Sequence, residues 1–269
     1  MEIRQQDTSL LEVDGLSVSF PGLAHPVVDE VAFALAPGET LALVGESGAG
    51  KSMTGLAVQR LVPIPGRITA GSINWKGTDL LELPEVGMRK IRGKEIGTVW
   101  QEPSSVMNPA IKIGLQIAEV IRVHTDASRR EARQQAIELL DHVRIPDARH
   151  RFHAYPGELS GGMLQRVVIA AAIACRPDLL IADEATTALD ASVQRQVLEL
   201  IADLQREMGM AILFVTHNLA LVAEMADRVA VMRGGRLLEC APVDRLFADP
   251  QNPYTRELLA AIPCPLARG

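Results

Sequence analysis

The octapeptide GESGAGKS, Gly45 to Ser52, constrains this chain more than any other stretch. It follows the apolar run LALV and precedes MTGLAVQRLV, whose spacing is compatible with a helix. Strand, glycine loop and helix in succession is the setting in which GxxxxGK[ST] acts as a phosphate loop. Its glycines let the backbone curl until successive N–H groups point at one phosphate, and the start of the helix adds its dipole. Lys51 is placed to reach the outer phosphates, and the Ser52 hydroxyl to ligate Mg2+. The expected nucleotide-binding residues are Gly45, Glu46, Ser47, Gly48, Ala49, Gly50, Lys51, Ser52 and Met53, at the entry to an α/β fold.

Around this loop the hydrophobic pattern changes three times. From Leu10 to Val44 short apolar runs (LLEV, LSVSF, VAFAL, TLALV) are broken by turn signals at Asp14-Gly15, Pro21-Gly22 and Pro37-Gly38, which predicts a strand-rich opening. Between about Met88 and Pro156 the pattern turns helical. SRREARQQAIELLDHV puts Ala132, Ala136, Leu139, Leu140 and Val143 on one stripe, with Ser128 and Glu131 as a capping box. This stretch is read as a helical insertion. Beyond it, LLIAD and AILFVTH have the apolar character of buried parallel strands and are separated by the helical pattern VQRQVLELIADLQREM, so the α/β core resumes.

Composition limits what such a core can do. With 269 residues, 48% hydrophobic and 22% charged, the chain can bury one core or one core with a subdomain. Its longest apolar run, Val167 to Cys175, ends at Arg176-Pro177-Asp178, far short of the roughly 20 residues a bilayer span takes. No secretory signal is read in MEIRQQDTSLLEVDG, so a cytosolic location is expected. Cys175, Cys240 and Cys264 lack metal or redox spacing and are read as reduced thiols. A net charge of -6 is the wrong sign for binding phosphate backbones, so nucleic acid is not expected as a partner.

Hydrolysis needs more than a phosphate loop. LLIADE ends an apolar strand in two acids: Asp183 at the strand's carboxyl end is suited to hold Mg2+, and Glu184 to act as general base on the attacking water. His217 ends the second apolar strand, where a γ-phosphate contact and a purely structural role are both open. Gln101, in TVWQEP, is a further candidate for contact with metal or water and for reporting occupancy to the insertion. Ser160-Gly161-Gly162, in ELSGGMLQR, is a second glycine site at a helix start, either an anion site or a helix cap.

The ordered set GESGAGKS, Gln101, LSGGMLQR, LLIADE, the TALD at Thr187 to Asp190 and His217 resembles the nucleotide-binding subunit of ABC transporters over nearly the whole chain. The resemblance implies a P-loop NTPase core with an antiparallel β subdomain and a helical insertion subdomain. Residues 1–87 would carry the β subdomain and phosphate loop, 88–165 the Gln101 loop and helices, 166–240 the α/β core, and 241–269 a tail. It also implies ATP with Mg2+ as ligands, and catalysis by Glu184, His217 and Gln101, with Ser52, Gln101 and Asp183 on the metal. Two such subunits pair head to tail in that family. Leu159, Ser160, Gly161, Gly162 and Gln165 would then face the partner's ATP, and Asp190 would line the seam. Phe20 occupies the place of the aromatic that stacks on adenine; a phenylalanine packed in the core is the other reading.

More narrowly, VGESGAGKS, IRGKEIGTVWQEPSSVMNP and FADPQNPYTRELLAAIP resemble bacterial importers of dipeptides, oligopeptides and nickel. That resemblance implies a second ATPase subunit, two membrane permease subunits on whose cytoplasmic face the chain would sit, and indirectly an extracytoplasmic solute-binding protein. An accessory ATPase of a soluble complex such as a carbon–phosphorus lyase is the alternative. Two departures stand out. Ala185 replaces a common proline after the catalytic glutamate, a change that loosens the turn by about 0.4–1 kcal/mol. The cysteine-bearing tail of some peptide importers is missing, so no iron–sulfur cluster is expected.

Overall fold

The computed structural model describes residues 9–186 and 189–261. Thr187, Ala188 and Cys264 lie outside the described residues. In chain order the elements are β1 (Leu11–Ser19), β2 (Val28–Leu35), β3 (Thr40–Val44), α1 (Lys51–Val58), β4 (Arg67–Trp75), β5 (Thr78–Asp79), α2 (Glu85–Ile91) and β6 (Ile96–Val99). There follow α3 (Pro103–Val106), α4 (Ile113–His124), α5 (Arg129–His142), α6 (Ala148–Arg151) and α7 (Gly161–Ala172). The last elements are β7 (Leu179–Asp183), α8 (Ala191–Met208), β8 (Ala211–Val215), α9 (Leu219–Met225), β9 (Arg228–Arg233), β10 (Arg236–Pro242), α10 (Val243–Ala248) and α11 (Pro253–Ala260). No helix among the described residues is long and apolar enough to cross a membrane. The chain forms two compact units, residues 1–84 with 213–269, and residues 85–212.

The first unit contains an antiparallel sheet in the order β2-β1-β4-β5. β1 lies inside the sheet, and its residues alternate buried and exposed from Leu11 to Asp14, as one covered face requires, before Leu16, Ser17 and Val18 are all buried. The Asp14-Gly15 turn signal is not a turn: Gly15 takes φ 59° inside one continuous strand, and the register with β2 shifts between Val13 and Leu16. A bulge uses the same glycine chemistry as a turn, which is why the two look alike in sequence. β3, wholly buried, runs parallel to β9 from Leu41↔Arg228 to Val44↔Val231. Asp227 secures this pairing, since its carboxylate accepts from the Thr40 N–H at 2.8 Å while its own N–H donates to the Thr40 carbonyl at 2.9 Å.

α1 stops at Val58, four residues before the helical pattern runs out. Arg60 takes φ 54°, and the Arg60 and Leu61 N–H groups close onto the carbonyls of Ala57 and Leu56. This is a helix-ending motif that glycine usually serves. Here Arg60 gains compensating bonds, its guanidinium donating to the carbonyls of Leu80, at 2.9 Å, and Leu83.

In the second unit β6 and β7 pair in parallel from Ile96↔Leu179 to Val99↔Ala182, so both strands end on the same side. The expected capping box is present on α5: Ser128 Oγ accepts from the Glu131 N–H at 3.3 Å, and the Glu131 carboxylate accepts from the Ser128 N–H at 2.8 Å. Ala132, Ala136, Leu140 and Val143 are buried as the stripe requires, and Leu139 is only half-buried. Phe152, fully buried, lies over Gly114, where a Cβ would sit 2.1 Å from its ring, so α4 depends on a glycine at that crossing.

Candidate functional site

In the first unit, the loop between β3 and α1 is shaped by two glycines with no room for a side chain. Gly45 has φ 150°, and a Cβ there would lie 2.1 Å from the Met232 carbonyl oxygen. Gly50, which precedes α1, has φ 99°, and its Cβ would lie 2.6 Å from the Val27 carbonyl oxygen. Lys51 is 5% exposed, and its Nζ donates to the carbonyls of Gly45 and Glu46, both at 2.9 Å. An ammonium is thus held within the curl of the loop, each bond supplying part of the stabilisation it lost on leaving water. Glu46, Ser47, Gly48 and Ser52 are exposed, Met53 is half-buried and Ala49 buried.

Gly48 also lines a cleft of about 640 Å³ with Leu23, His25, Pro26, Val27 and Arg236 among its other walls. Phe20 is half-buried and packs its ring on Gly66, where a Cβ would be 2.5 Å from Cζ. His217 is exposed at the tip of the turn after β8. That turn is held from both sides: Thr216 Oγ1 accepts from the Asn218 N–H at 3.1 Å, and the Asn218 side chain caps α9 through the Ala220 N–H.

The second unit brings Gln101 and Glu184 together across 83 positions of sequence. Gln101 follows β6 and Glu184 follows β7, and Gln101 Nε2 donates to Glu184 Oε2 at 2.9 Å. This contact follows from the parallel pairing of the two strands, because residues just beyond their ends become neighbours. Glu184 takes φ 45°, a left-handed conformation that a non-glycine residue adopts only when its surroundings enforce it. Ala185 and Thr186 behind it are 2% and 5% exposed, and Gln194 Nε2 holds Thr186 Oγ1 at 2.8 Å. Asp183 ends β7 half-exposed.

Ser160 is the N-cap of α7, although its Oγ accepts from the Met163 N–H at a long 3.4 Å. The glycines after it differ from each other. Gly161 is exposed, with only Leu189 at ordinary contact distance from a built Cβ, whereas Gly162 faces Val193 of α8, whose Cγ1 would be 2.4 Å away. Leu159 is half-buried. Gln165 points inward at 1% exposure, and its Nε2 has no hydrogen-bond partner among the described residues. Asp190 caps α8, accepting from the N–H groups of Ser192 and Val193, both at 3.1 Å, and from Ser192 Oγ at 2.8 Å. The Val193 N–H first, then the Ser192 hydroxyl, hold its carboxyl below the usual aspartate range.

The sequence pattern missed Tyr254, which the structure sets beside Glu46 of the loop. Asn252-Pro253 was a readable signal for the start of α11, since asparagine caps helices and proline favours their first position. Nothing local points from that helix to Glu46.

The sequence model of the ABC transporter family matches residues 28–187. A putative peptide import ATP-binding protein of Brucella melitensis is 52% identical over 262 residues, covering 94% of this chain and 78% of its own length. The oligopeptide transport ATP-binding protein OppD of Bacillus subtilis is 49% identical over 259 residues, covering 95% of this chain and 72% of its own. Among solved structures, a dimeric ATP-binding cassette in a post-hydrolysis state, bound to ADP and Pi, superposes with a TM-score of 0.77 at 23% identity, over 87% of this chain and 98% of that one. A Clostridium perfringens subunit of the ABC transporter complex cbiONQ gives the same TM-score and identity over 95% and 96%. The fold expectation is met at this level: the architecture is that of such cassettes.

Proposed function

The chain belongs to the ABC transporter family, and on that premise we propose that it is the ATP-hydrolysing subunit of a bacterial importer of dipeptides or oligopeptides. The cargo reading is supported by the names of relatives about half identical to it over most of its length. The observation that carries the chemistry is the Gln101–Glu184 contact, an amide orienting a carboxylate that is held in a strained conformation at the end of a strand. Strain of that kind persists where surrounding structure enforces it, and it clusters at active sites.

In this reading the phosphates of ATP lie on the N–H groups of the loop from Gly45 to Ser52. Lys51 transfers its ammonium from the Gly45 and Glu46 carbonyls to the outer phosphate oxygens. The short reach suits the task, because both carbonyls belong to the loop itself. His217 is assigned to the γ-phosphate. Glu184 accepts the proton of the attacking water, and Gln101 keeps its carboxylate turned toward that water. The cleft beside Gly48 is assigned to the base and sugar, and Phe20 to stacking on the base.

By chemistry alone the assigned donors suit Mg2+: Ser52 of the first unit has an exposed hydroxyl, and in the second unit Asp183 has a half-exposed carboxylate and Gln101 an amide oxygen. Oxygen ligands in small number are what this cation takes when phosphates and water complete its shell. When bound, Mg2+ would neutralise phosphate charge as the terminal bond breaks. Ser160, Gly161 and Gly162 are assigned to the nucleotide of a second such subunit, and two permease subunits would hold the pair against the cytoplasmic face of the membrane.

Two measurements test this. Replacing Glu184 with Gln is expected to lower ATP turnover by about 10²–10⁴-fold while leaving ATP binding intact; undiminished turnover would refute the assigned base. Purification from native membranes is expected to recover the chain with two polytopic subunits, and a soluble assembly without them would remove the importer reading.

A further inference from the structure

The tail of the chain is fastened to the first unit by a short series of polar contacts. In β10, Glu239 accepts from the Gln251 N–H at 2.8 Å and the Asn252 N–H at 3.0 Å. The Asn252 side chain then accepts from the Tyr254 N–H at 2.9 Å, which starts α11 behind Pro253. One turn on, Arg256 Nε donates to the Pro250 carbonyl at 2.9 Å and closes the segment on itself. Four bonds would be few for a helix, but these fix one residue, Tyr254, in position and direction.

Tyr254 is 5% exposed, with the Arg233 guanidinium 4.4 Å from its ring centre. Arg233 directly follows Met232, whose carbonyl walls Gly45, so ring and loop lean on the same end of β9. The Tyr254 hydroxyl is enclosed, and no donor or acceptor among the described residues meets hydrogen-bond geometry with it. Its polar neighbour is Glu46, through both backbone N–H and carboxylate. Burial first, and then the Glu46 carboxylate, push the phenol above its usual range, so it stays a neutral donor in the cell. A buried hydroxyl whose nearest polar group lies outside good hydrogen-bond geometry costs stability that phenylalanine would not. Its presence therefore calls for a role in which the distance to Glu46 shortens.

We propose that Tyr254 is a positioning residue for the phosphate loop, holding Glu46 in place when Lys51 releases the loop carbonyls to bind a nucleotide. This rests on the nucleotide reading of Gly45 to Ser52. The logic is one of substitution. Lys51 bonds the Gly45 and Glu46 carbonyls, and those two bonds are lost when its ammonium turns to phosphate. The Tyr254 hydroxyl then closes on the same residue from the outside, independently of Lys51, so the loop keeps its curl during the exchange. The ring supplies the fixed lever through Arg233, and the hydroxyl supplies the contact.

The test uses the full chain, a fluorescent ATP analogue for equilibrium binding and steady-state ATP hydrolysis for the KM and kcat split. Tyr254→Ala is expected to weaken binding about tenfold and Tyr254→Phe about threefold. In both, kcat at saturating ATP should stay within about twofold of the wild type, the mark of a loss in binding rather than chemistry. In a Glu46→Ala background the Tyr254→Phe change should have no further effect. If Tyr254→Ala does not fold, Tyr254→Phe and its cycle with Glu46 decide the matter. A lowered melting temperature with unchanged affinity, or equal effects of Tyr254→Phe with and without Glu46, overturns the proposal. Failure of the wild-type chain to bind the analogue overturns the nucleotide reading instead.

Discussion

The chain has two glycine-bearing stretches that look alike on paper, Gly45 to Ser52 and Ser160 to Gln165, and they use glycine for opposite reasons. In the first, Gly45, Gly48 and Gly50 all take positive φ, at 150°, 79° and 99°, so the residue is there for its backbone. In the second, Gly161 and Gly162 are ordinary helical residues of α7, and what counts is the missing side chain. Gly162 lets α8 approach until Val193 fills the space, and Gly161 leaves the helix start open to solvent. The first stretch also holds its own cation in Lys51, whereas the second presents N–H groups and a serine with no cation in its motif before Arg166. One stretch is a closed cradle. The other is an open cap, suited to a ligand brought from elsewhere.

The strongest test of that contrast is Gly45→Ala. The new methyl would meet a backbone oxygen, which cannot move without shifting β9, and φ would remain unfavourable. A loss of about 3 kcal/mol in denaturant unfolding is expected, with ATP binding lost alongside it. A variant of wild-type stability would mean that the loop does not need the glycine backbone. Gly162→Ala is expected to cost less, about 1–2 kcal/mol, because the obstacle is a side-chain methyl on α8. Adding Val193→Ala should recover part of that loss, while binding of ATP to the single chain stays unchanged throughout. Loss of ATP binding in Gly162→Ala would erase the distinction between the two stretches.

The same division governs what could be read from sequence. TLALV and LLIAD coincide with β3 and β7, and the capping box of α5 was found residue for residue, because these signals are short-range. The curled backbone of Gly45 to Ser52 was legible for the same reason: its positive φ values fall on glycines within eight positions. The end of α1 was not, since Arg60 tolerates its left-handed φ with the help of carbonyls at Leu80 and Leu83. Gln101 and Glu184 were each picked as candidates, yet their contact exists only once β6 and β7 have paired. Gly162 needed α8 beside it, and Tyr254 needed a fold that returns the tail to Glu46. Local motifs announced the chemistry, and long-range packing decided which of them touch.

The smallest structural effect is expected at Ser160, and it separates function from folding most cleanly. Its cap bond is long, at 3.4 Å, and its side chain is exposed, so Ser160→Ala should cost no more than about 0.5 kcal/mol of stability. A serine that served only as a cap would show that loss and nothing else. If Ser160 closes the nucleotide site of a second subunit, the assembled pair should lose ATP turnover by much more than the stability change accounts for, while the isolated chain binds ATP as before. Ser160→Arg sharpens the point by placing bulk where the open cap faces its ligand: binding to the single chain should survive and ATP-driven pairing, followed by size-exclusion chromatography with light scattering, should disappear. Normal pairing and turnover in both variants would return Ser160-Gly161-Gly162 to the plainer role of starting a helix.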